Sequence, residues 1–368
     1  MIKGATKMSS ISIQTLKDYT IRLMNMSPLI GALSTYSNGF SVEIDQETQL
    51  ILIIIQTPSA VPLTESLYFD IYQTLNVGLF PAVSLIKPIN MKLIARTGVD
   101  FSEARAFAYP YLNGTPQRLH INNLDHFIIK QSQYKVKLME NYFVDMSKIP
   151  VIAVQGMVGS GKSTFINFLM TVFNSFADCV AIDPKMADLT LMAQKLKIRC
   201  LTPLKKGNTD EFLNSVNAEL AMAVDTIYKR QSLLLEQPST ILKPYYIFID
   251  ELIALKGLAT SKPVIQTFDR LINIICVLGR ATSVRICFSG QSYSVADSIS
   301  STTRSQIGMA VLLGKVSDAT AQFLFDGSVS GIVVPHDGRV GTGIIAVADG
   351  GINETTILPF LTPTYSLN

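Results

Sequence analysis

The sequence predicts an α/β protein, with a mainly parallel central sheet flanked by helices and a smaller α+β domain ahead of it. Three observations lead there. After Asp145, β-type runs recur with helical segments between them. The first of those runs passes straight into a glycine-rich loop and then an apolar helix. Before Asp145 the pattern is different, a hairpin among separate helices, so the chain divides into a small domain over 1–145 and a second over 146–368 that carries everything specific.

Composition sets the bounds. A chain of 368 residues has material for about two domains, and 48% hydrophobic with 16% charged residues describes an ordered protein. The mean hydropathy is +0.31. Even so, the densest aliphatic run, 50–55, is far short of the roughly 20 residues a spanning helix needs, so no transmembrane segment is expected. The N-terminal lysines are followed by no apolar stretch, and the expected location is the cytoplasm, with any membrane recruitment left to a partner. Four cysteines without a C-x-x-C pair and three histidines exclude a zinc or disulfide framework and read as reduced core residues. Lys and Arg exceed Asp and Glu by 31 − 28 = 3, split 12 against 11 through Asp145 and 19 against 17 after it, so composition alone announces no nucleic-acid binder.

In the first domain the spacing predicts a helix over 19–33, a hairpin of 40–44 with 49–56, and a helix over 65–75. In the second, strands are expected at 151–155, 179–183, 245–250, 284–289 and 309–313, as in a parallel sheet covered on both faces. The end of the chain reads as short strands, 331–335 and 343–347, around a turn at His336-Asp337-Gly338, and then a proline-containing tail.

The strand at 151–155 leads into Gly156-Met157-Val158-Gly159-Ser160-Gly161-Lys162-Ser163-Thr164 and an apolar helix over 165–173, which is the G-x-x-x-x-G-K-[ST] phosphate loop in its strand–loop–helix setting. Glycines let successive N–H groups curl around phosphates, with Gly156, Gly159, Ser160, Gly161 and Thr164 framing the cradle. Lys162 supplies charge to the β- and γ-phosphates of ATP, and Ser163 can ligate Mg²⁺. The apolar run 245–249 ends in Asp250-Glu251, 88 residues beyond Lys162, as a Walker B strand does. Asp250 is the second candidate Mg²⁺ ligand, and Glu251 the residue that orients and deprotonates the attacking water, so the pair predicts hydrolysis. A strand intervening between the motifs, 179–183, argues for a RecA-like ATPase over a nucleoside kinase.

Ile149-Pro150 before the loop strand, then Ala181-Ile182-Asp183-Pro184-Lys185-Met186-Ala187-Asp188-Leu189, then Ile249-Asp250-Glu251-Leu252, resemble the FtsK/SpoIIIE family of DNA translocases across roughly 145–347. The family's A-R-A and T-Q-R-P segments correspond to Gly279-Arg280-Ala281 and Gly290-Gln291-Ser292-Tyr293. The resemblance implies a ring, hexameric in the family, that threads double-stranded DNA while ATP is hydrolysed between subunits. It makes Gln291 the polar sensor of the γ-phosphate and Arg280 the candidate trans-acting finger. The alternatives are Arg304 as the finger, and Arg280 as a plain helix-end cation. The sequence departs from the family at Ser292 and Tyr293, which replace Arg and Pro, and at Met309, which aligns with an Arg. Candidate DNA-facing cations are Lys185, Lys205 and Lys206.

With no membrane span in front and no winged helix behind, the pattern is similar to the coupling ATPases of plasmids and conjugative elements, which deliver DNA to a relaxase or a membrane transfer channel. Two alternatives stay open: a protein-secretion ATPase of the same family, and an ATP-dependent assembly or adaptor protein that translocates nothing.

Overall fold

The computed structural model describes residues 11–27, 39–56, 62–129, 134–203, 209–293, 299–325, 327–348 and 356–366. The backbone divides into two units. One comprises Met1–Pro116 with Val329–Pro335 and Glu354–Pro359, and the other Gln117–Ser328 with His336–Asn353 and Phe360–Asn368. The segment from Gln117 to Asp145 thus packs with the second unit.

In the first unit, Ser12 and Thr64 accept backbone N–H groups at the N-termini of helices α1 (Ile13–Met26) and α2 (Glu65–Leu79), as capping residues do. The hairpin forms as expected, β1 (Phe40–Asp45) antiparallel to β2 (Leu50–Ile55), with Asp45 accepting the N–H groups of Glu47 and Thr48 to close the turn. β3 (Val83–Leu85), β4 (Leu93–Ala95) and β5 (Arg105–Asn113) complete the sheet, in which β5 pairs with β2, β3 and β4. Both helices pack on this sheet around Tyr68, Tyr72, Phe107 and Tyr109. The Tyr68 and Tyr109 rings stack at 4.6 Å, and each hydroxyl donates to a main-chain carbonyl, of Ala108 and Tyr68 respectively, so the buried phenols are satisfied. Of the helix expected over 19–33, residues 28–33 lie outside the described residues. The observed helix begins earlier, at the Ser12 cap.

The strand expected at 331–335 does not form. Gly331 has φ +79°, where a side chain would be strained, and a Cβ there would meet the Gln73 side chain at 2.6 Å. The neighbouring carbonyls are taken by side chains, Gly331 O by Asn76 Nδ2 at 2.7 Å and Ser330 O by Lys87 Nζ at 2.7 Å. Those bonds replace a ladder.

The second unit begins with a helix, α3 (Leu124–Ile129), and a hairpin, β6 (Lys135–Met139) with β7 (Tyr142–Asp145). Its sheet is built from β8 (Val151–Gly156), β9 (Asp178–Ile182), β10 (Arg199–Leu201), β11 (Tyr245–Ile249), β12 (Val284–Gly290), β13 (Ile307–Leu313) and β14 (Thr342–Val347). They lie in the order β10-β9-β11-β12-β8-β13-β14. Every pair through β13 is parallel, and β14 runs antiparallel to β13. β8 and β12 are buried at every position, which is why they read as continuous apolar runs and not as alternating ones. The connecting helices are α4 (Lys162–Asn174), α5 (Asp188–Lys195), α6 (Thr209–Glu236), α7 (Leu252–Gly257) and α8 (Lys262–Leu278).

Two details aim the sheet at its upper edge. The buried Arg285 guanidinium donates to the carbonyls of Met146, Ser147 and Ile149, at 2.5, 2.8 and 2.9 Å, and so fixes the chain where it enters β8. Beside β8 lies β12, which separates it from the Asp250-bearing β11, so the two nucleotide motifs stand on non-adjacent strands. Among the described residues no helix is long and apolar enough to cross a membrane. All four cysteines are free, and burial raises each thiol above its ordinary value; Cys276 and Cys287 are core residues, whereas Cys179 and Cys200 are only half-buried.

Candidate functional site

In a parallel sheet the loops after the strands converge at the C-terminal edge, and there the described chain holds a cavity of about 400 Å³. Gly159, Gly161, Lys162, Ser163 and Thr164 come from the loop after β8, Lys185 and Asp188 from the segment after β9, Asp250 and Glu251 from the end of β11, and Gln291 from the end of β12. Residues as far apart in sequence as Gly159 and Gln291 thereby face one space. Gly156 closes β8, and the Ser160 carbonyl accepts the Gly341 N–H at 2.9 Å.

Gly161 is the N-cap of α4 at φ +92°, and a Cβ there would stand 3.0 Å from Gly341, so only glycine lets the loop close on the helix. The free N–H groups of the first helical turn then point at the cavity, the arrangement that binds phosphates.

Charge in the cavity centres on Glu251. Its Oε2 lies 2.9 Å from Lys162 Nζ and 2.9 Å from Lys185 Nζ, and its backbone is left-handed at φ +47°, an uncommon conformation that turns the side chain back over the loop. Burial pushes its carboxyl upward, but hydrogen bonds and charge from the two lysines outweigh this and hold it below the usual range. Asp250 has the opposite balance. Burial raises its carboxyl, Ser289 and Lys162 pull it down, and Asp183 and Glu251 push it up. The Ser289 hydroxyl donates to Asp250 Oδ1.

Sequence reasoning missed three contributors. Asp183, fully buried, accepts the N–H groups of Lys185, Ala187 and Thr190 at 2.9, 2.8 and 3.1 Å, plus the Thr190 hydroxyl at 2.7 Å. It is the brace of the Asp183-Pro184-Lys185 turn, and that turn delivers Lys185 to Glu251. Lys185, offered above as a DNA-facing cation, therefore lines the cavity. Tyr293 is fully buried and donates to Val154 O at 3.2 Å, supporting the loop strand from below. The third is Arg118, whose Nε and Nη2 reach Asp337 at 2.6 and 3.1 Å.

Arg118 holds the Asp337 carboxyl below its ordinary value. A depressed folded-state pKa stabilises the fold fully above the unfolded value of about 3.9 and loses that contribution as pH falls through the folded value. The stability difference between wild type and Asp337→Asn is thus expected to be constant above about pH 5 and to close below about pH 4. Thermal unfolding across pH checks it.

Of the residues predicted from sequence, the structure brings together Lys162, Ser163, Thr164, Asp250, Glu251 and Gln291. Arg280 is not among them. It is exposed in the turn before β12, at the opposite end of a seven-residue strand and so about 20 Å below the cavity edge. Arg304 is half-buried with its guanidinium over the Phe323 ring at 5.7 Å. Met309 is buried in β13 opposite Ile152. Lys205 and Lys206 lie outside the described residues.

Residues 128–273 match the model of the KAP family P-loop domain. The fold is that of a P-loop NTPase. No curated protein matches the chain. Among solved structures, the pCW3 conjugation coupling protein TcpA, a monomer form with ATPγS, is similar over 94% of each chain at 16% identity and a TM-score of 0.54. ATPases 2 and 3 of EssC from Geobacillus thermodenitrificans match 70% of this chain and 49% of theirs at 11% identity and a TM-score of 0.48. The cytoplasmic domain of the type VII secretion ATPase EccC from Thermomonospora curvata matches 67% and 31% at 14% identity and 0.48.

Proposed function

We propose that this chain is an ATP hydrolase of the FtsK/SpoIIIE type that works as an oligomeric, hexameric ring and moves double-stranded DNA for a plasmid or conjugative element. The observation that carries hydrolysis is the single cavity uniting the P-loop, the Asp250-Glu251 pair and Gln291. DNA as the substrate is supported by the likeness to a conjugation coupling protein over 94% of both chains. A relaxase or a transfer-channel protein is the partner class that fits this role, with the chain working at the cytoplasmic side of a membrane.

The loop N–H groups and Lys162 hold the β- and γ-phosphates. Glu251 takes a proton from water as its oxygen bonds to the γ-phosphorus, and the bond from that phosphorus to the bridging oxygen breaks, leaving its electron pair on ADP. Gln291, which lines the cavity from the end of β12, is the sensor of the γ-phosphate in this reading. The Ser163 hydroxyl and the Asp250 carboxylate share the cavity as an all-oxygen donor pair that would hold Mg²⁺. When bound there, that ion neutralises phosphate charge. Arg280, remote from its own cavity and exposed, can reach phosphates only on a neighbouring copy, as a trans finger would.

The test is steady-state ATP hydrolysis with and without long double-stranded DNA at a stated salt concentration, since phosphate contacts weaken steeply with salt. Severalfold stimulation by duplex DNA, lost at high salt, is expected. Turnover indifferent to DNA would favour a protein substrate, and no turnover under any condition would favour an assembly or adaptor role.

A further inference from the structure

Helix α6 is longer than the structure it packs on. It runs beside α8 in parallel register, set near its start by Asp210, which accepts the Ser261 N–H at 3.1 Å, and then by Asn217, which donates to Val264 O at 3.0 Å. Further on, Arg230 Nη1 donates to Thr282 O at 2.8 Å, in the turn that leads into β12. α8 has ended by then, at Leu278, but α6 continues to Glu236, about 9 Å past Arg230 at 1.5 Å per residue. The chain then returns through 237–244 to the start of β11. The end of α6 and this return thus project from the N-terminal edge of the sheet, the edge opposite the nucleotide cavity.

Burial stops where the overshoot begins. Leu213, Val216, Leu220, Ala223 and Ile227 lie on the buried stripe of α6, at helical spacing, and no residue of 228–243 is buried. Yet this stretch holds Leu233-Leu234-Leu235 and Ile241-Leu242. Leu235 is 85% exposed and Ile241 88%, one on each arm of the projection, where packing in the core gives neither a reason to be aliphatic. Single apolar side chains are ordinary on a surface, but two this exposed on one projecting tip mark a contact. Cations stand behind them. Lys243 neutralises Asp178 at 2.5 Å, and Arg199, at the start of β10, neutralises the buried Glu219 at 2.8 Å. Lys229 and Arg230 on α6, with Lys197 and Arg280 at the same edge, then outnumber the remaining acids there, Asp225 and Glu236.

We infer that this projection is a membrane-contact tip, which seats Leu235 and Ile241 among the acyl chains of an anionic bilayer and sets the cations against its phosphate headgroups. The layering fits. Leu235 lies about 9 Å beyond Lys229 along the helix axis, and interfacial apolar groups sit about 5–10 Å into the boundary between headgroups and acyl chains. Duplex DNA would use the cations but offers aliphatic tips nothing to enter, so charge and exposure together select a lipid surface. The tip lies at the opposite edge from the nucleotide cavity, so its lipid binding requires no nucleotide.

The experiment is co-sedimentation of the full chain, without nucleotide, with vesicles of phosphatidylcholine and phosphatidylglycerol in equal parts and with vesicles of phosphatidylcholine alone. Wild type is expected on the anionic vesicles at low salt and to be released as salt rises, because salt screens the cations from the headgroups. Leu235→Ser combined with Ile241→Ser is expected to weaken that binding about tenfold, and Lys229→Glu to weaken it about tenfold at low salt only. Glu236→Gln, which removes an opposing charge, should strengthen it severalfold. These side chains are exposed, so the variants fold, and thermal unfolding checks it. The chain contains no tryptophan, so Ile241→Trp reports the depth of the tip directly, and its emission is expected to move to shorter wavelength with the anionic vesicles. Emission that stays in place, or a double serine variant that binds as wild type does, overturns the insertion. Equal binding to both vesicle types overturns the headgroup contact. A wild type that stays in solution with both overturns the membrane tip altogether; self-association lost in the serine variant would then make a second copy the occupant, and duplex-DNA binding lost in Lys229→Glu a nucleic acid.

Discussion

Replacing Lys162 by alanine is expected to lower ATP turnover by about 10²–10³-fold, the scale on which a preorganised charge at a reacting group acts. Triphosphate binding should weaken with it. Lys162 is buried at the first position of α4, with Nζ 2.9 Å from Glu251. The substitution removes the cation that faces the phosphates and also unbalances the carboxylate beside it. Burial pushes Glu251 upward against the pull of two lysines. With Lys185 alone, half-exposed, the carboxyl is expected to titrate higher and to be held less firmly in its left-handed backbone position. The fold itself survives, because α4 keeps its apolar face and its glycine cap. Steady-state hydrolysis, calorimetric binding and thermal unfolding of the same preparation separate these effects. Undiminished turnover in a folded variant would remove this cavity as the place of hydrolysis.

Contiguous chemistry was legible in the sequence, and chemistry assembled by topology was not. The phosphate loop and the Asp250-Glu251 strand end are local patterns whose residue types have few other uses in that order. The parallel sheet followed from apolar runs without alternation, since strands covered on both faces need no polar side. Asp183 stands in a recognisable motif, but its role as a brace depends on backbone N–H groups two to seven residues ahead, which composition does not announce. Arg118 was unreadable because its partners lie 219 and 244 residues away. Residues 331–335 have strand composition, yet Asn76 and Lys87 claim the neighbouring carbonyls, a long-range competition that local propensity cannot register. Pro110 interrupts the strand pattern of β5 in the sequence. The structure keeps Pro110 in the ladder through its carbonyl, which accepts the Ile86 N–H at 2.8 Å.

Glu251→Gln is expected to bind ATP at least as tightly as wild type and to hydrolyse it about 10²–10⁴-fold more slowly, the range over which a positioned general base contributes. The amide has the carboxylate's shape and the same backbone demands at φ +47°, so the change is one of charge alone. Lys162 and Lys185 lose the anion 2.9 Å from each and turn a larger net positive charge to the phosphates, which favours binding. Water loses its proton acceptor. Asp250 is a poor substitute, because the Ser289 hydroxyl already occupies one of its oxygens. The same geometry bears on timing in the wild type. A carboxylate held below its ordinary value by two lysines is a weak base, and a triphosphate that drew Lys162 onto its own oxygens is expected to raise that basicity. Turnover in Glu251→Gln within about threefold of wild type, with ATP bound, would place the base elsewhere and make Asp250 the next residue to change.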